Sequence, residues 1–494
     1  MASDGAGWPP SSVPASVEPM LSRTPLIALA GALGLAVAAR AVHASPPPAP
    51  APAVQPAADE ASRARELVDW LIAGKFAEAA APFDDAVRAA LPPARLEEVW
   101  RGLVAKVGAV ETIVGSRTET VAGTKVVAIT CKFQKASLDV VVAFGPQGKV
   151  SGLRVVPTPP AAATKPDAVA PPPYADRATF DETDVEIGPA EWRLPGTLTT
   201  PKGAGRFPAV VLVHGSGPGD RDETVGANKP FRDLAWGLAS RGIAVLRYDK
   251  RSLVHAAKLA GVRDLTVKDE VVDDAVAALA VLRAAPKIDP KRIFVVGHSL
   301  GAALVPRIAA ADPAIAGAVL LAAPARRLED AWLAQVEYLA RADGAVSPDE
   351  AKEIEALRAE LAKIKAPGFS AASPPVQGVP ASYWIDLGRY DALAAARQLR
   401  RPLLLLQGRR DYQVPVHDLG LWEKALTGRK DVVLRAFPAL NHLFIAGTGP
   451  STAAEYQRPG HVAVEVVDAI AGWIAATSGR PRAPSGGGTT RGGR

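Results

Sequence analysis

The sequence predicts an α/β fold with a mostly parallel central sheet, preceded by a small α+β domain. Between residues 209 and 477, short and nearly continuous apolar runs alternate with helical patterns, which is typical of parallel strands buried on both faces. Residues 62–156 differ, because helical periodicity comes first and alternating β-branched runs follow. The 494 residues are enough for two domains with separate cores.

Composition narrows the classes of partner. The net charge of +6 is small for 494 residues, and no basic stripe with interleaved aromatic residues occurs, so we expect no nucleic-acid partner. Cys131 is the only cysteine, which excludes an internal disulfide and a cysteine-based metal site. We expect no metal and no other cofactor.

The first residues have the pattern of an export signal. An apolar run at residues 25–39 is too short to span a bilayer comfortably, and Val42 and Ala44 have the spacing that a signal peptidase accepts. We therefore predict a signal peptide at residues 1–44. The protein is then secreted or held in the cell envelope or periplasm, with no stable membrane insertion after cleavage. The long segment before the apolar run, together with Arg40, leaves an uncleaved anchor as the alternative.

Shifts in composition divide the rest of the chain. Two stretches rich in proline and alanine, at residues 45–60 and 157–178, are predicted linkers. They separate a small α+β domain at residues 61–156 from a larger domain at residues 179–478. A basic tail rich in glycine and serine follows at residues 479–494, and we predict that it is disordered.

The small domain shows no catalytic constellation. Helical spacing, for example between Leu67 and Leu71, predicts two or three helices before residue 110. Strands are predicted after it at residues 125–132, 137–144 and 150–156. Cys131 lies within the first of these strands, and we interpret it as a packing residue.

The larger domain begins with a predicted hairpin at residues 184–199. Alternating elements follow, with strands at 209–213, 243–246, 293–296, 318–323, 403–406 and 432–437, and helices at 231–240, 269–283 and 462–477. Ligand sites in parallel sheets lie at the carboxyl ends of the strands. Functional residues are therefore expected directly after the predicted strands.

A long interruption, at about residues 325–400, separates two of these strands. Ser347 and Glu350 have the spacing of a helix capping box, and an apolar stripe follows them. An insertion at this edge predicts a helical lid over the site, and the alternative is a structural addition that never touches substrate. Candidate pocket walls are Trp332, Tyr338, Tyr383 and Trp384.

The strand at residues 293–296 ends in Gly297-His298-Ser299-Leu300-Gly301, and an alanine-rich helix follows. Strand, sharp turn and helix are the context of a nucleophile elbow, which exposes the Ser299 hydroxyl at the edge of the sheet. Gly297 and Gly301 remove side chains that would collide with backbone, and they tolerate unusual angles. The Leu300 amide then lies at a helix N-terminus, where it can donate to an anion.

A serine nucleophile needs a histidine base, which this topology places after the acid. Downstream of Ser299 the chain has His417, His442 and His461. We favour His442, because a short loop joins it to the last predicted strand and brings it to the same edge as Ser299. His417 lies in or before a helix, and His461 begins the final helix.

The acid is expected at the end of the preceding strand. Asp411 follows the strand at residues 403–406 and is our candidate to orient His442. Asp418 and Asp386 are less well placed. Asp411 could instead pair with an adjacent arginine, an exposed contact of little energetic value.

Donors for an oxyanion complete the predicted site. The glycine-rich run 214–217 follows a strand and can aim the Ser216 amide at the same point as the Leu300 amide. The charged runs 220–223 and 248–251 lie beside it. We interpret both as structural, with the first bracing the loop through ion pairs.

These motifs together resemble an α/β-hydrolase. The resemblance rests on five runs: His214-Gly215-Ser216-Gly217-Pro218, Tyr248-Asp249-Lys250-Arg251, Gly297-His298-Ser299-Leu300-Gly301, Gln407-Gly408-Arg409-Arg410-Asp411-Tyr412-Gln413-Val414 and Asn441-His442-Leu443-Phe444. The chain is similar to bacterial secreted carboxylesterases that carry an N-terminal α+β domain of unknown function.

The resemblance implies hydrolysis of short-chain acyl esters, without a cofactor, by Ser299, His442 and Asp411 through an acyl-enzyme intermediate. The expected partner is a small-molecule ester, and the oligomeric state cannot be read from the sequence. Two alternatives remain open at this point. One is a serine peptidase of the prolyl-oligopeptidase kind, and the other is a non-catalytic envelope binding protein.

Overall fold

The computed structural model describes residues 59–121, 124–145, 147–158, 170–259, 262–342 and 344–478. The predicted signal peptide, nearly all of the first linker and the basic tail lie outside these residues and stay predictions. Within them, no helix combines the length and the apolar character needed to cross a membrane.

The N-terminal domain packs helices against an antiparallel sheet. Its described elements are α1 (Glu60–Ile72), α2 (Phe76–Ala80), α3 (Asp85–Ala90), α4 (Pro93–Val107), β1 (Val110–Val121), β2 (Thr124–Phe133), β3 (Ser137–Phe144) and β4 (Val150–Pro157). The strands pair in sequence order. Helices precede strands, as the sequence predicts. The two shortest helices have too few residues to show a helical period, which is why the sequence suggested two or three.

Helix α1 shows how this domain acquires its core. The Asp59 carboxylate accepts from the Ser62 amide at 2.8 Å and caps the helix. Leu67 and Leu71, one turn apart, are buried on one face together with Cys131 of β2. Burial raises the pKa of Cys131 to about 11, so the thiol stays protonated and serves as a packing group.

The described strands of the C-terminal domain form one eight-stranded sheet. They are β5 (Phe180–Ile187), β6 (Leu194–Pro201), β7 (Phe207–Val213), β8 (Ala244–Tyr248), β9 (Ile288–His298), β10 (Gly317–Leu321), β11 (Leu403–Gly408) and β12 (Val432–Phe437). The spatial order is β12-β11-β10-β9-β7-β8-β6-β5. Neighbours from β12 to β8 are parallel, and the hairpin β5–β6 joins antiparallel to β8. The sheet is therefore mixed and mostly parallel, as predicted.

Helices cover both faces of this sheet. They are α5 (Pro230–Ala239), α6 (Arg251–Val254), α7 (Ala256–Leu259), α8 (Asp273–Ala284), α9 (Leu300–Ala311), α10 (Leu328–Ala340), α11 (Pro348–Ala362), α12 (Ala381–Arg389), α13 (Ala392–Gln398), α14 (Val416–Ala425) and α15 (Val464–Ser478). One apolar cluster joins the sheet to α8 and α9, and another joins it to α5 and α15. Tyr174, in the predicted second linker, donates to the Val462 carbonyl at 2.7 Å and so packs on this domain.

The insertion forms helices α10 to α13, and its capping box is confirmed. The Ser347 amide donates to the Glu350 carboxylate at 2.8 Å, and the Glu350 amide donates back to the Ser347 hydroxyl at 3.3 Å. Trp332, Tyr383 and Trp384 are buried in the apolar cluster shared with α8 and α9. These three expected pocket walls are therefore core residues, because the insertion packs down on the domain.

Candidate active site

Ser299 lies at the sharp turn between β9 and α9. Its φ of 53° and ψ of −121° belong to a strained region for a residue with a side chain. The Ser299 amide donates to the Leu321 carbonyl at 2.9 Å, which ties the turn to β10. Ser299 is partly exposed, whereas His298 and Leu300 on either side are buried. The turn thus presents the hydroxyl at the carboxyl edge of the sheet.

The flanking glycines are required by close packing. A Cβ at Gly297 would lie 2.5 Å from the Gly301 carbonyl oxygen, and one at Gly301 would lie 2.4 Å from the His214 carbonyl oxygen. Backbone atoms cannot move aside as a flexible side chain would. Neither glycine has a positive φ, and the positive φ of the turn belongs to Ser299 itself.

Asp411 and His442 meet at the ends of β11 and β12. His442 Nδ1 lies 2.7 Å from Asp411 Oδ2, and the two side chains are only 4% and 0% exposed. The other carboxylate oxygen of Asp411 accepts from the amides of Gln413 at 2.8 Å and Val414 at 2.9 Å. Backbone amides therefore fix Oδ1 of Asp411, and Oδ2 points at the imidazole of His442.

His442 also lies beside the residue that precedes Ser299. The ring centroids of His298 and His442 are 4.6 Å apart, and His298 Nε2 lies 3.0 Å from the His442 carbonyl oxygen. In the described structure, no hydrogen bond joins the Ser299 hydroxyl to His442. With Nδ1 facing Asp411, Nε2 is the nitrogen left to accept from that hydroxyl. Such bonds often tighten only when substrate binds.

The other candidate histidines lie in different surroundings. His417 is exposed on α14. His461 Nδ1 lies 3.1 Å from the Asp233 carboxylate and the Val462 amide donates to the same oxygen, so this histidine belongs to the contact between α5 and α15.

The other candidate acids are taken by arginines. Asp418 pairs with Arg326 at 2.9 Å, and Asp386 pairs with Arg307 at 2.9 Å. Arg410 does not pair with Asp411, because its guanidinium contacts Glu455. Asp411 is therefore the acid that the fold brings to His442.

The loop after β7 passes close to the Ser299 hydroxyl. A Cβ at Gly215 would lie 3.2 Å from Ser299 Cβ and 3.7 Å from its Oγ. The Gly215 amide donates to Glu223 Oε1 at 2.9 Å. The next amide is that of Ser216, and Leu300 is the first residue of α9, whose leading amides have no acceptor within the helix. Both predicted oxyanion donors thus lie on segments that border Ser299.

Lys250 holds the same loop from its carbonyl side, which is a structural role of the kind expected for the run 248–251. The buried ammonium donates to the carbonyl oxygens of Gly215 and Gly217, each at 2.9 Å. It also lies 3.3 Å from Glu270, which accepts from Tyr383 of the insertion at 2.6 Å. A charged chain therefore joins the loop to the insertion.

Two further positioning residues were missed from the sequence. Gln407 Nε2 donates to Asp411 Oδ2 at 2.9 Å, and the signal for it was a single polar residue ending a strand of leucines. Asn441 Oδ1 accepts from the amides of Leu443 and Ile445, both at 3.1 Å, and shapes the loop that carries the histidine. Their hydrogen bonds reach residues two to four positions away in sequence, within loops whose bends the sequence pattern does not reveal.

A cleft of about 380 Å³ adjoins Asp411. Its walls include Tyr338 and Tyr412, whose stacked rings have centroids 5.2 Å apart, and the exposed Arg409. Burial raises the pKa of Tyr412 to about 12, so this phenol is neutral. Because Tyr338 belongs to α10, the insertion forms one wall of this cleft. Across the described part of the chain, no group of three His, Cys, Asp or Glu side chains could hold a metal ion.

Two sequence comparisons bear on this site. A sequence model described as the alpha/beta hydrolase family matches residues 210–466. Esterase EstD of Thermotoga maritima is 40% identical over 411 residues, which cover 83% of this chain and 93% of that protein.

The chain belongs to the alpha/beta hydrolase family.

Membership of the alpha/beta hydrolase family confirms the predicted resemblance and the predicted fold. A second model, described as a protein of unknown function (DUF3887), matches residues 64–153. Two solved structures are also similar to the chain. Esterase PF2001 of Pyrococcus furiosus has 19% identity and a TM-score of 0.39, covering 61% of this chain and 92% of that one. Est1E of Butyrivibrio proteoclasticus has 17% identity and a TM-score of 0.41, covering 60% of this chain and 99% of that one.

Proposed function

We propose that this protein is a serine carboxylesterase that hydrolyses short-chain acyl esters. Ser299 is the proposed nucleophile, His442 the base, and Asp411 the residue that orients the base. The observation that carries the proposal is the buried contact of 2.7 Å between His442 Nδ1 and Asp411 Oδ2, directly beside the strained turn of Ser299.

The reaction class rests on the sequence relative. The chain is an ester hydrolase, because a protein named as an esterase is 40% identical to it over 83% of its length. The assignment of roles to individual residues and the choice of ester go beyond that identity. Geometry and chemistry support both the roles of these residues and the choice of ester.

The first half of the reaction transfers the acyl group to the enzyme. His442 Nδ1–H donates to Asp411, so Nε2 carries a lone pair that can take the proton of the Ser299 hydroxyl. The serine oxygen attacks the ester carbonyl carbon, and the carbonyl oxygen becomes an oxyanion. The amides of Ser216 and Leu300 stabilise this charge, each donor lowering the barrier by about 3 kcal/mol. His442 then gives its proton to the departing alkoxide, which leaves as the alcohol.

The second half releases the acid. His442 takes a proton from a water molecule, and the hydroxide formed attacks the acyl-serine carbonyl carbon. The bond to Ser299 breaks, the serine oxygen recovers its proton from His442, and the carboxylic acid departs. Asp411 keeps its negative charge throughout and stabilises the transient imidazolium.

The preference for short acyl groups is supported by the packing of the insertion. Trp332, Tyr383 and Trp384 fill the domain core, so these large side chains do not line an acyl tunnel. The cleft of about 380 Å³ beside Asp411 is lined by neither Ser299 nor His442, so its size is no measure of the acyl group that the site accepts. We expect kcat/KM to be highest for acetyl to butyryl esters and to fall for decanoyl esters.

Replacement of the nucleophile tests the assignment of roles. The variant Ser299→Ala should lose about a millionfold in turnover of p-nitrophenyl acetate, because the triad acts as a unit. Its melting temperature should stay within a few degrees of wild type. A fluorophosphonate probe should label the wild-type protein and leave the variant unlabelled.

Three outcomes would contradict the proposal. Hydrolysis by Ser299→Ala at the wild-type rate would remove the serine from the reaction. Turnover of peptide anilides at rates above those of matched esters would instead indicate a serine peptidase. An absence of fluorophosphonate labelling in folded wild-type protein would favour a binding protein.

A further inference from the structure

A buried carboxylate and a buried histidine link the three segments that form the proposed site. Glu223 Oε1 accepts from the Gly215 amide at 2.9 Å, and Glu223 Oε2 lies 3.0 Å from His298 Nδ1. The other ring nitrogen of His298 lies 3.0 Å from the His442 carbonyl oxygen. The chain of contacts therefore runs from the oxyanion loop through the elbow to the loop that carries the base.

The partners of His298 determine its charge. The His442 carbonyl oxygen can only accept, so His298 Nε2 must carry a proton. Nδ1 faces a carboxylate, which also accepts, and a proton there makes the ring a cation. Nδ1 and Oε2 lie off the ideal hydrogen-bond line in spite of their short separation, so the contact is best described as an ion pair.

Burial and charge act in opposite directions on this pair. Burial alone would lower the pKa of His298, but the Glu223 carboxylate raises it above the usual value. Burial alone would raise the pKa of Glu223, but His298 lowers it. Each group therefore favours the charged form of the other, in agreement with the two acceptors that face the His298 ring. Neutralising either one leaves the other as an unpaired buried charge, which is strongly unfavourable.

Glu223 also adopts a costly backbone conformation. Its φ is 51°, in the left-handed region that disfavours residues with a β-carbon. The Glu223 amide donates to the Asp220 carbonyl at 2.9 Å, and Asp220 Oδ1 accepts from the Thr224 amide at 2.9 Å, which fixes the turn. Strained residues concentrate at functional sites, where the surrounding structure over-determines them.

We propose that Glu223 and His298 are positioning residues, which hold the Gly215–Ser216 backbone and the His442 loop in register with the Ser299 hydroxyl. This inference rests on the proposed function. The Gly215 amide donates to the Glu223 carboxylate, so the Ser216 amide is the one that is left to donate to the oxyanion. His298 neutralises a carboxylate that would otherwise repel the oxyanion at close range.

The test compares Glu223 with a matched carboxylate elsewhere in the same domain. Asp233 is also buried, accepts from one backbone amide, and lies 3.1 Å from a histidine, His461. Neither Asp233 nor His461 touches Ser299, His442 or the 214–217 loop in the described structure. Asp233→Ala should therefore reproduce the loss of stability caused by Glu223→Ala without its effect on the reaction.

We expect Glu223→Ala to lower kcat for p-nitrophenyl acetate by about 10- to 100-fold, with KM within twofold of wild type. The expected loss of kcat does not exceed the loss caused by deleting an oxyanion donor, because the Ser216 amide is displaced and not removed. Glu223→Gln keeps an acceptor for the Gly215 amide, and His298 can become neutral by releasing its Nδ1 proton while Nε2 still donates to the His442 carbonyl, so this variant should recover most of kcat. His298→Asn leaves the carboxylate unpaired and should lower kcat more than the double variant Glu223→Gln/His298→Asn.

Several results would overturn this inference. One is a kcat for Glu223→Ala within twofold of wild type. Another is an equal loss of kcat in Asp233→Ala, which would indicate general destabilisation. A third is that Glu223→Gln is as poor as Glu223→Ala. If Glu223→Ala does not fold, the glutamine variant and the double variant decide the question through kcat alone. Failure of the proposed function is recognised separately, by activity that persists in Ser299→Ala.

Discussion

The two domains of this chain use buried charge differently. The described N-terminal domain has an apolar core from α1 to α4 and one face of the sheet, and its buried charge is Asp139, which pairs with Arg117 across β1 and β3. The C-terminal domain has an apolar core as well, but charged side chains are buried at the carboxyl edge of its sheet. These include Glu223, Lys250, Glu270, His298, Asp411 and His442. Buried charges add little net stability, and the ones named here surround the proposed triad, where the proposed reaction would use them.

The largest effect expected from this comparison concerns the carboxylate that faces the base. Asp411→Asn should lower kcat by roughly 10⁴-fold, because an amide neither stabilises the imidazolium nor holds the required tautomer. The melting temperature should change little, since an asparagine oxygen can still accept from the amides of Gln413 and Val414. Steady-state hydrolysis and thermal unfolding of the same preparation measure both quantities.

Asp418 provides the matched control for this prediction. It is fully buried and accepts from Arg326 and from backbone amides, but it does not face His442. Asp418→Asn should lower stability and leave kcat near wild type. If the two variants lose kcat to the same extent, buried carboxylates at this edge serve stability, and the contrast between the domains is lost.

The fold was predictable where one local pattern sufficed. The apolar strands, the elbow motif and the capping box of α11 depend on residues that are close in sequence. Lys250 and the pair of Glu223 with His298 depend on contacts between distant segments, and Glu223 and His298 are 75 positions apart in the sequence. The sequence placed charged runs beside the oxyanion loop, but it could not distinguish Glu223, which turns inward, from Arg221, which pairs with Asp249 at 2.9 Å.

The N-terminal domain should respond to mutation in stability alone. Phe133 is 1% exposed and its ring centroid lies 6.1 Å from that of Trp100. Phe133→Ala removes a buried aromatic ring and should destabilise this domain by about 3–5 kcal/mol. We expect kcat and KM to stay at wild-type values, because every proposed site residue belongs to the other domain. Urea denaturation followed by tryptophan fluorescence gives the free energy of unfolding.

Phe294 is the corresponding residue in the C-terminal domain. It is fully buried in β9, the strand that leads to Ser299. Phe294→Ala should lower both stability and kcat, since displacement of this strand moves the serine. A fall in kcat with Phe133→Ala, at a temperature where the variant is folded, would show instead that the N-terminal domain takes part in turnover.

The smallest effect concerns a half-buried charge, Glu182, and depends on pH. Burial alone would raise the pKa of Glu182, but Arg247, with hydrogen bonds from Arg177 and Trp236, lowers it to about 2. The stabilising contribution is therefore fully present above the unfolded pKa of about 4.3 and is lost as pH falls towards 2. Because solvent screens part of this carboxylate, Glu182→Gln should cost about 1–2 kcal/mol near neutral pH and less than half of that at pH 3.

Urea denaturation at pH 7, 5 and 3 measures this difference. The control is Asp181→Asn on the same strand, whose side chain is 65% exposed and which should have no effect at any of these pH values. A penalty for Glu182→Gln that is the same at pH 3 and pH 7 would mean that packing, and not charge, makes this residue stabilising. Since Glu182 lies away from Ser299, Glu182→Gln should leave kcat unchanged. The charged groups of this domain would then fall into two sets. One set, at the carboxyl edge of the sheet, would determine turnover, and the other, around Glu182, would determine stability in acid.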